Sequence, residues 1–223
     1  MHHPRYIKPF IIMCLAAILT VARANYDSKE NSIPLPTNYS STPAILMQVI
    51  WGNVQGLGAD FTLLNAFSIY YDASQANDIN APSWQALSDS FFLAQTLDPQ
   101  FYDTYHIGLT TLAYDAKRPK EAIRLAYMGS NALPLNWQIP FTGGFIAYDL
   151  NHDYHEAAKL MSLAAHVPDA PSLAVTLASR FLKNDMGTDA AINFLKQMLK
   201  VLPKEYQSGI KLRLKDMQKG IKK

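Results

Sequence analysis

The sequence predicts an all-α protein built from stacked antiparallel helix pairs, and three observations carry that expectation. Pro99, Pro134, Pro168 and Pro203 follow one another at intervals of 35, 34 and 35 residues, each closing an apolar helical stretch. Acid-alanine steps at Glu121-Ala122, Glu156-Ala157 and Asp189-Ala190 recur in register with them, after 35 and 33 residues. Small residues, Gly108, Gly143, Gly144 and Ala178, fall in the first helix of each expected pair, where closely crossing backbones leave no room for large side chains. A unit of that length cannot bury its own apolar face, so it forms a core by stacking on its neighbours.

The chain opens with a segment that stands apart from this pattern. Arg5 and Lys8 precede an uncharged run from Pro9 to Ala22, which ends in Ala22-Arg23-Ala24. Residues 1–24 therefore read as a secretory signal peptide cleaved after Ala24, with an uncleaved N-terminal anchor as the alternative; the run is shorter than the ~20 residues a spanning helix wants. Either reading puts the body outside the cytoplasm. Cys14, the single cysteine, lies inside this run, ahead of most of its apolar residues, which argues against lipidation. Cleavage leaves no thiol and so no disulfide. It also leaves 17 basic residues against 18 acidic ones, a net charge of −1 that makes no demand for nucleic acid.

Residues 25–43, with Pro34, Pro36 and Pro43 among serines and asparagines, read as a flexible linker. Asn38-Tyr39-Ser40 matches a glycosylation acceptor, a short pattern common by chance. Thr42 is the expected N-cap of the first helix, with Pro43 at its first position. Residues 44–97 read as N-terminal helices packed on the array: apolar segments separated near Gly52, then a pair near 56–73 and 83–97. Gly52, Gly56 and Gly58 lack the preceding strand and spacing of a phosphate loop and read as close-packing positions. Residues 98–203 give three pairs, at about 101–115 with 119–132, 137–149 with 153–166, and 171–184 with 188–201. In residues 204–223 a stripe of Ile210, Leu214, Met217 and Ile221 is surrounded by seven bases against two acids, as a terminal capping helix with one solvated face requires. A role against an anionic membrane surface is the rival reading of that helix.

On the runs Gly108…Ala122…Pro134 and Gly143…Ala157…Pro168, residues 98–203 resemble tetratricopeptide repeats. The resemblance covers about half of the chain. It departs from the pattern in lacking a clear tryptophan early in the first helix, in a longer turn from Tyr114 to Pro119, and in Ala178 where glycine is expected. It implies a right-handed superhelix whose concave groove binds a peptide or protein segment.

The groove positions implied by the resemblance are Tyr102, Tyr105, Trp137 and Tyr148, whose side chains offer large contact area with few rotors and a polar handle. Phe101, Phe141 and Phe145 read as more buried. Arg180 and Lys183, in the first helix of the third pair, are candidates for pairing with an acidic peptide or carboxylate. The polar cluster Asn151 to Glu156 contains His152, His155 and Glu156, which are metal-ligand types, but the repeat register makes it a turn between paired helices in which Asp153 caps the second. Ser130 lacks the flanking glycines of a hydrolase elbow, and His106 beside Tyr102 and Tyr105 reads as packing or groove lining. Asp60, in an apolar helix, is either exposed or paired with a neighbouring hydroxyl or amide, and pairing is the favoured reading.

The sequence thus points to a non-catalytic adaptor or assembly scaffold of the bacterial cell envelope, periplasmic and soluble or tethered to the inner membrane. Its expected partner is a protein or peptide segment, with no nucleic acid, cofactor or metal. The alternative is a structural subunit that makes contacts through its convex face and basic last helix.

Overall fold

The computed structural model describes residues 43–76 and 78–221. The expectations for the signal peptide, Cys14, Thr42 and most of the linker fall outside these residues. Among the described residues the secondary structure is helical, with no strand.

Helix α1 (Ala44–Trp51) begins one residue later than expected. Pro43 sits at the N-cap position, its carbonyl accepting from the amides of Leu46 and Met47. Gly52 breaks the helix as anticipated, in a left-handed conformation (φ +46°) that costs a residue without Cβ little. A single 3₁₀ turn leads into α2 (Gln55–Gln75), which packs on α3 (Pro82–Leu97). The buried face of α2 is mostly small, with Gly58, Ala59, Ala66 and Ala73, whereas α3 contributes Trp84, Leu87, Phe91 and Leu97 to the core.

Helices α4 (Tyr102–Thr110), α5 (Pro119–Ala132), α6 (Gln138–Asn151), α7 (Tyr154–His166), α8 (Ser172–Met186) and α9 (Thr188–Val201) follow, and α10 (Gln207–Ile221) comes last. Each helix packs chiefly on its neighbours in the chain. The four periodic prolines share one place: each lies two residues beyond the last residue of α3, α5, α7 or α9. A residue that lacks an amide donor and crowds the preceding turn stops the second helix of every pair.

The long turn before Pro119 has a definite cause. Helix α4 runs on through a π-helical turn, Thr111–Asp115, where the Ala116 amide reaches the Thr111 carbonyl at 2.9 Å. The extra residue is absorbed inside the helix, as single π turns do. Lys117 then reverses the chain at φ +54°.

The alanine beat needs one correction. Ala122, Ala157 and Ala191 are each fully buried, whereas Ala190 is only half-buried, so the equivalent position in α9 is one residue later than its acid-alanine step suggests. The corrected intervals are 35 and 34 residues. Close approach is tightest where α6 crosses its neighbours. A Cβ on Gly144 would lie 2.9 Å from Met161 Cγ and 3.2 Å from the Ala157 carbonyl oxygen, and one on Gly143 would collide with Ala126 Cβ.

Side-chain hydrogen bonds repeat with the same beat. Ser88 donates to Glu121, Tyr102 to Gln138, Tyr114 to Asp149 and Arg213 to Ser179, over separations of 33, 36, 35 and 34 residues. Each bond joins a helix to its counterpart one unit along the chain, so polar side chains hold the same neighbour relation as the buried alanines.

Candidate functional site

A cleft of about 850 Å³ opens between α8 and α10. Helix α8 supplies Ser172, Thr176, Arg180, Lys183 and Asn184, because those residues recur at the three- and four-residue steps that align side chains on one helix face. Across from them α10 presents Arg213 and Asp216, while Ile210 and Met217 form the apolar floor. The stripe containing Ile210 is what seats α10, since Ile210 is buried against the array and Leu214 and Met217 pack on the same core.

Three cations therefore converge on one concavity with one carboxylate among them. Arg213 is the most anchored: its Nε donates to Ser179 Oγ at 2.8 Å. Burial first, and then the neighbouring positive charge of Arg180, hold its guanidinium below its ordinary pKa. Among the described residues, none of Arg180, Lys183 and Arg213 forms an ion pair. A guanidinium held in a fixed orientation offers paired donors suited to a carboxylate or phosphate, and the lysine adds a mobile charge. The hydroxyls of Ser172 and Thr188 and the amide of Asn184 can complete such an anion's hydrogen bonds, whereas the Thr176 hydroxyl donates to the Ser172 carbonyl.

Arg213 was not among the sequence candidates. Assigning residues 204–223 to a cap made its bases look solvated. The beat could have found it, since Arg213 stands 34 residues after Ser179, the same interval that separates Pro134 from Pro168.

The structure does not gather the aromatic candidates with Arg180 and Lys183. Tyr102 is half-buried; its ring stacks on His106 with centroids 5.4 Å apart, and its hydroxyl donates to Gln138 Oε1 at 2.7 Å. Trp137 packs edge-on against Phe141, and Tyr148 lies against Phe181 at 4.9 Å, bridging α6 and α8. Tyr105 must be corrected. It is 0% exposed, and its hydroxyl donates to the Pro99 carbonyl at 2.6 Å, so it is a core residue with no surface to offer a partner. Phe145 reverses in the other direction: it is exposed, while Phe101 and Phe141 are half-buried.

The polar turn at Asn151 to Glu156 divides its side chains among separate contacts. Asp153 caps α7, its carboxylate accepting from the Glu156 amide at 3.0 Å, as its place in the turn predicts. His152 takes the left-handed C-cap of α6, with Nδ1 3.2 Å from the Tyr148 carbonyl oxygen. His155 Nδ1 lies 2.9 Å from Asp185, and Glu156 accepts from Tyr127 and Lys159. Among the described residues no three His, Cys, Asp or Glu side chains gather as a metal-ligand group. Asp60 is exposed on α2, contrary to the paired role expected of it. No described helix is long and apolar enough to cross a membrane.

No family model matches this chain, and no curated protein matches it.

Proposed function

We propose that this protein is a non-catalytic adaptor that holds an acidic segment of a partner protein in the cleft between α8 and α10. The observation that carries this reading is the convergence of Arg180, Lys183 and Arg213 on one open concavity lined with hydroxyl groups. In this reading the helix pairs form a right-handed, tetratricopeptide-like superhelix with α10 closing its end. The signal-peptide pattern of residues 1–24 supports export, with the body acting in a bacterial periplasm. The cleft is preformed, which lowers the ordering cost of binding, and its positive charge sets the orientation of the bound segment.

The test is fluorescence anisotropy of a labelled peptide of alternating glutamate and serine, with a lysine-serine peptide as control. The acidic peptide is expected to bind, to weaken as salt rises from 50 to 200 mM, and to lose at least tenfold in affinity to the Arg180→Glu, Lys183→Glu double variant. Both substituted side chains are exposed, so the melting temperature should stay within a few degrees of the parent. Equal binding of the two peptides, or acidic-peptide binding unmoved by the double variant, overturns the reading.

A further inference from the structure

Helix α2 is apolar on the face it turns to water as well as on the face it buries. At 100° per residue, Leu57, Phe61, Leu64, Ser68 and Tyr71 fall within a narrow arc at the centre of the outward face, with Phe67 beside it. Leu57 is 60% exposed, Phe61 50%, Leu64 66% and Tyr71 64%. The opposite arc, with Ala59, Leu63, Ala66 and Ala73, is already buried against the body. Spacing in steps of four and three is that of a helix seam that packs against another helix.

The extent of the face suits a protein interface. With Val54 and Phe67 included, six side chains about half exposed or more present roughly 700 Å², using ~150–250 Å² for a large side chain. A standard interface takes ~800 Å² from each partner, whereas the largest apolar patch of a typical monomer is ~300–600 Å². Helix α1 adds exposed Ile45, Val49 and Ile50 nearby in the chain. The two ends of the array also differ. Its C-terminal end is closed by α10, with Lys211 and Lys215 exposed, but its N-terminal end presents an apolar helix, and stacked repeats need a polar outer face where they stop.

Charge and composition select the occupant. Residues 43–116 contain seven aspartates and no lysine or arginine, and Asp60 is exposed beside the seam. Such a face has nothing to hold anionic lipid headgroups. Residues 117–223 carry 16 lysines and arginines against nine acids, which would attract the acidic half of another copy, but their exposed large apolar residues, such as Leu135, Leu173 and Val201, lie on separate elements. Among the described residues, the surface that matches the seam in apolar character and extent is the seam itself.

We propose that α2 pairs antiparallel with α2 of a second copy of this chain across a two-fold axis near Leu64. Leu57 of each copy then lies opposite Tyr71 of the other, and Phe61 opposite Ser68. Exposed Asp60 and Asp72 flank the seam on both copies, so salt, by screening this like charge, tightens the dimer.

Sedimentation equilibrium of the purified full-length chain is expected to show a dimer at tens of micromolar that strengthens between 50 and 500 mM salt. Leu64→Glu places two like charges at the axis and is expected to raise the dissociation constant at least a hundredfold, with unchanged circular dichroism. In a Cys14→Ser background, Leu64→Cys should cross-link to itself on mild oxidation. A parent chain still monomeric at 100 μM overturns the proposal, whether residues 1–42 or a lipid surface covers the face. So does a dimer indifferent to Leu64→Glu, one that fails to cross-link through Leu64→Cys, or one that dissociates as salt rises, which would mark acidic-to-basic association between copies.

Discussion

The Tyr127 hydroxyl donates a 2.7 Å hydrogen bond to Glu156, tying α5 to α7, the second helix of one pair to the second helix of the next. Lys159 Nζ sits 3.1 Å from the other carboxylate oxygen. Burial first, then the bond to Glu156 and its charge, push the Tyr127 phenol well above its ordinary pKa of 10.0. The folded protein therefore keeps this proton at pH values where the unfolded chain has released it. Such a contribution is complete below about pH 10 and declines as pH rises further. Urea unfolding from pH 8 to 11 is expected to show that decline, and Tyr127→Phe should flatten it and cost about 1 kcal/mol at pH 8. Tyr70, Tyr102, Tyr105 and Tyr114 are raised as well, so the flattening is partial. An alkaline limb equally steep in the variant would remove Tyr127 from this role.

Tyr105 makes a different kind of join. Its ring fills the space beside Gly129, where a Cβ would approach Tyr105 Cδ1 to 2.6 Å, and its hydroxyl satisfies the carbonyl of Pro99. Tyr105→Ala is expected to cost about 3–5 kcal/mol and Tyr105→Phe about 1 kcal/mol. Denaturant midpoints measure both. A loss under 1 kcal/mol for the alanine variant would contradict the buried placement.

Glycines at two positions should answer alanine substitution with opposite signs. At Gly144 the added carbon meets Met161 N at 3.1 Å and the Ala157 carbonyl oxygen at 3.2 Å, backbone atoms that cannot swing aside. Gly144→Ala is expected to destabilise by about 1–3 kcal/mol. Nothing lies within 4 Å of the corresponding point on Gly209, in the first turn of α10, so Gly209→Ala should stabilise by about 0.5 kcal/mol through the reduced freedom of the unfolded chain. Thermal melts of the two variants should move in opposite directions.

The helices were legible because their punctuation is local. Pro99, Pro134, Pro168 and Pro203 act through their own missing amides, Gly52 through its own φ, and Asp153 through an amide three residues away. What lies across space was harder to read. Tyr105 and Tyr102 are three residues apart with the same chemistry, and packing from distant elements, Gly129 among them, decides that Tyr105 is covered. The apolar residues of α2 led the sequence to place Asp60 in a paired setting, because an apolar stripe ordinarily marks the buried side. Here the small residues Gly58, Ala59, Ala66 and Ala73 face inward, and Leu57, Phe61 and Leu64 are left outside.

Arg213 links that lesson to the cleft, since its role depends on α10 folding back along α8. If its bond to Ser179 fixes the guanidinium for an anion, charge alone will not replace it. Arg213→Lys retains a cation but has no Nε donor to meet Ser179 and no planar fork. It is expected to weaken the acidic peptide about five- to tenfold, equivalent to ~1–1.4 kcal/mol. Arg213→Met, which keeps the length of the side chain without its charge, should weaken binding further. Ser179→Ala should reproduce the lysine effect in the parent chain and add little to Arg213→Lys, as residues acting through one bond do in a double-mutant cycle. If the two losses simply add, Ser179 does not position Arg213 and the cleft works by net charge.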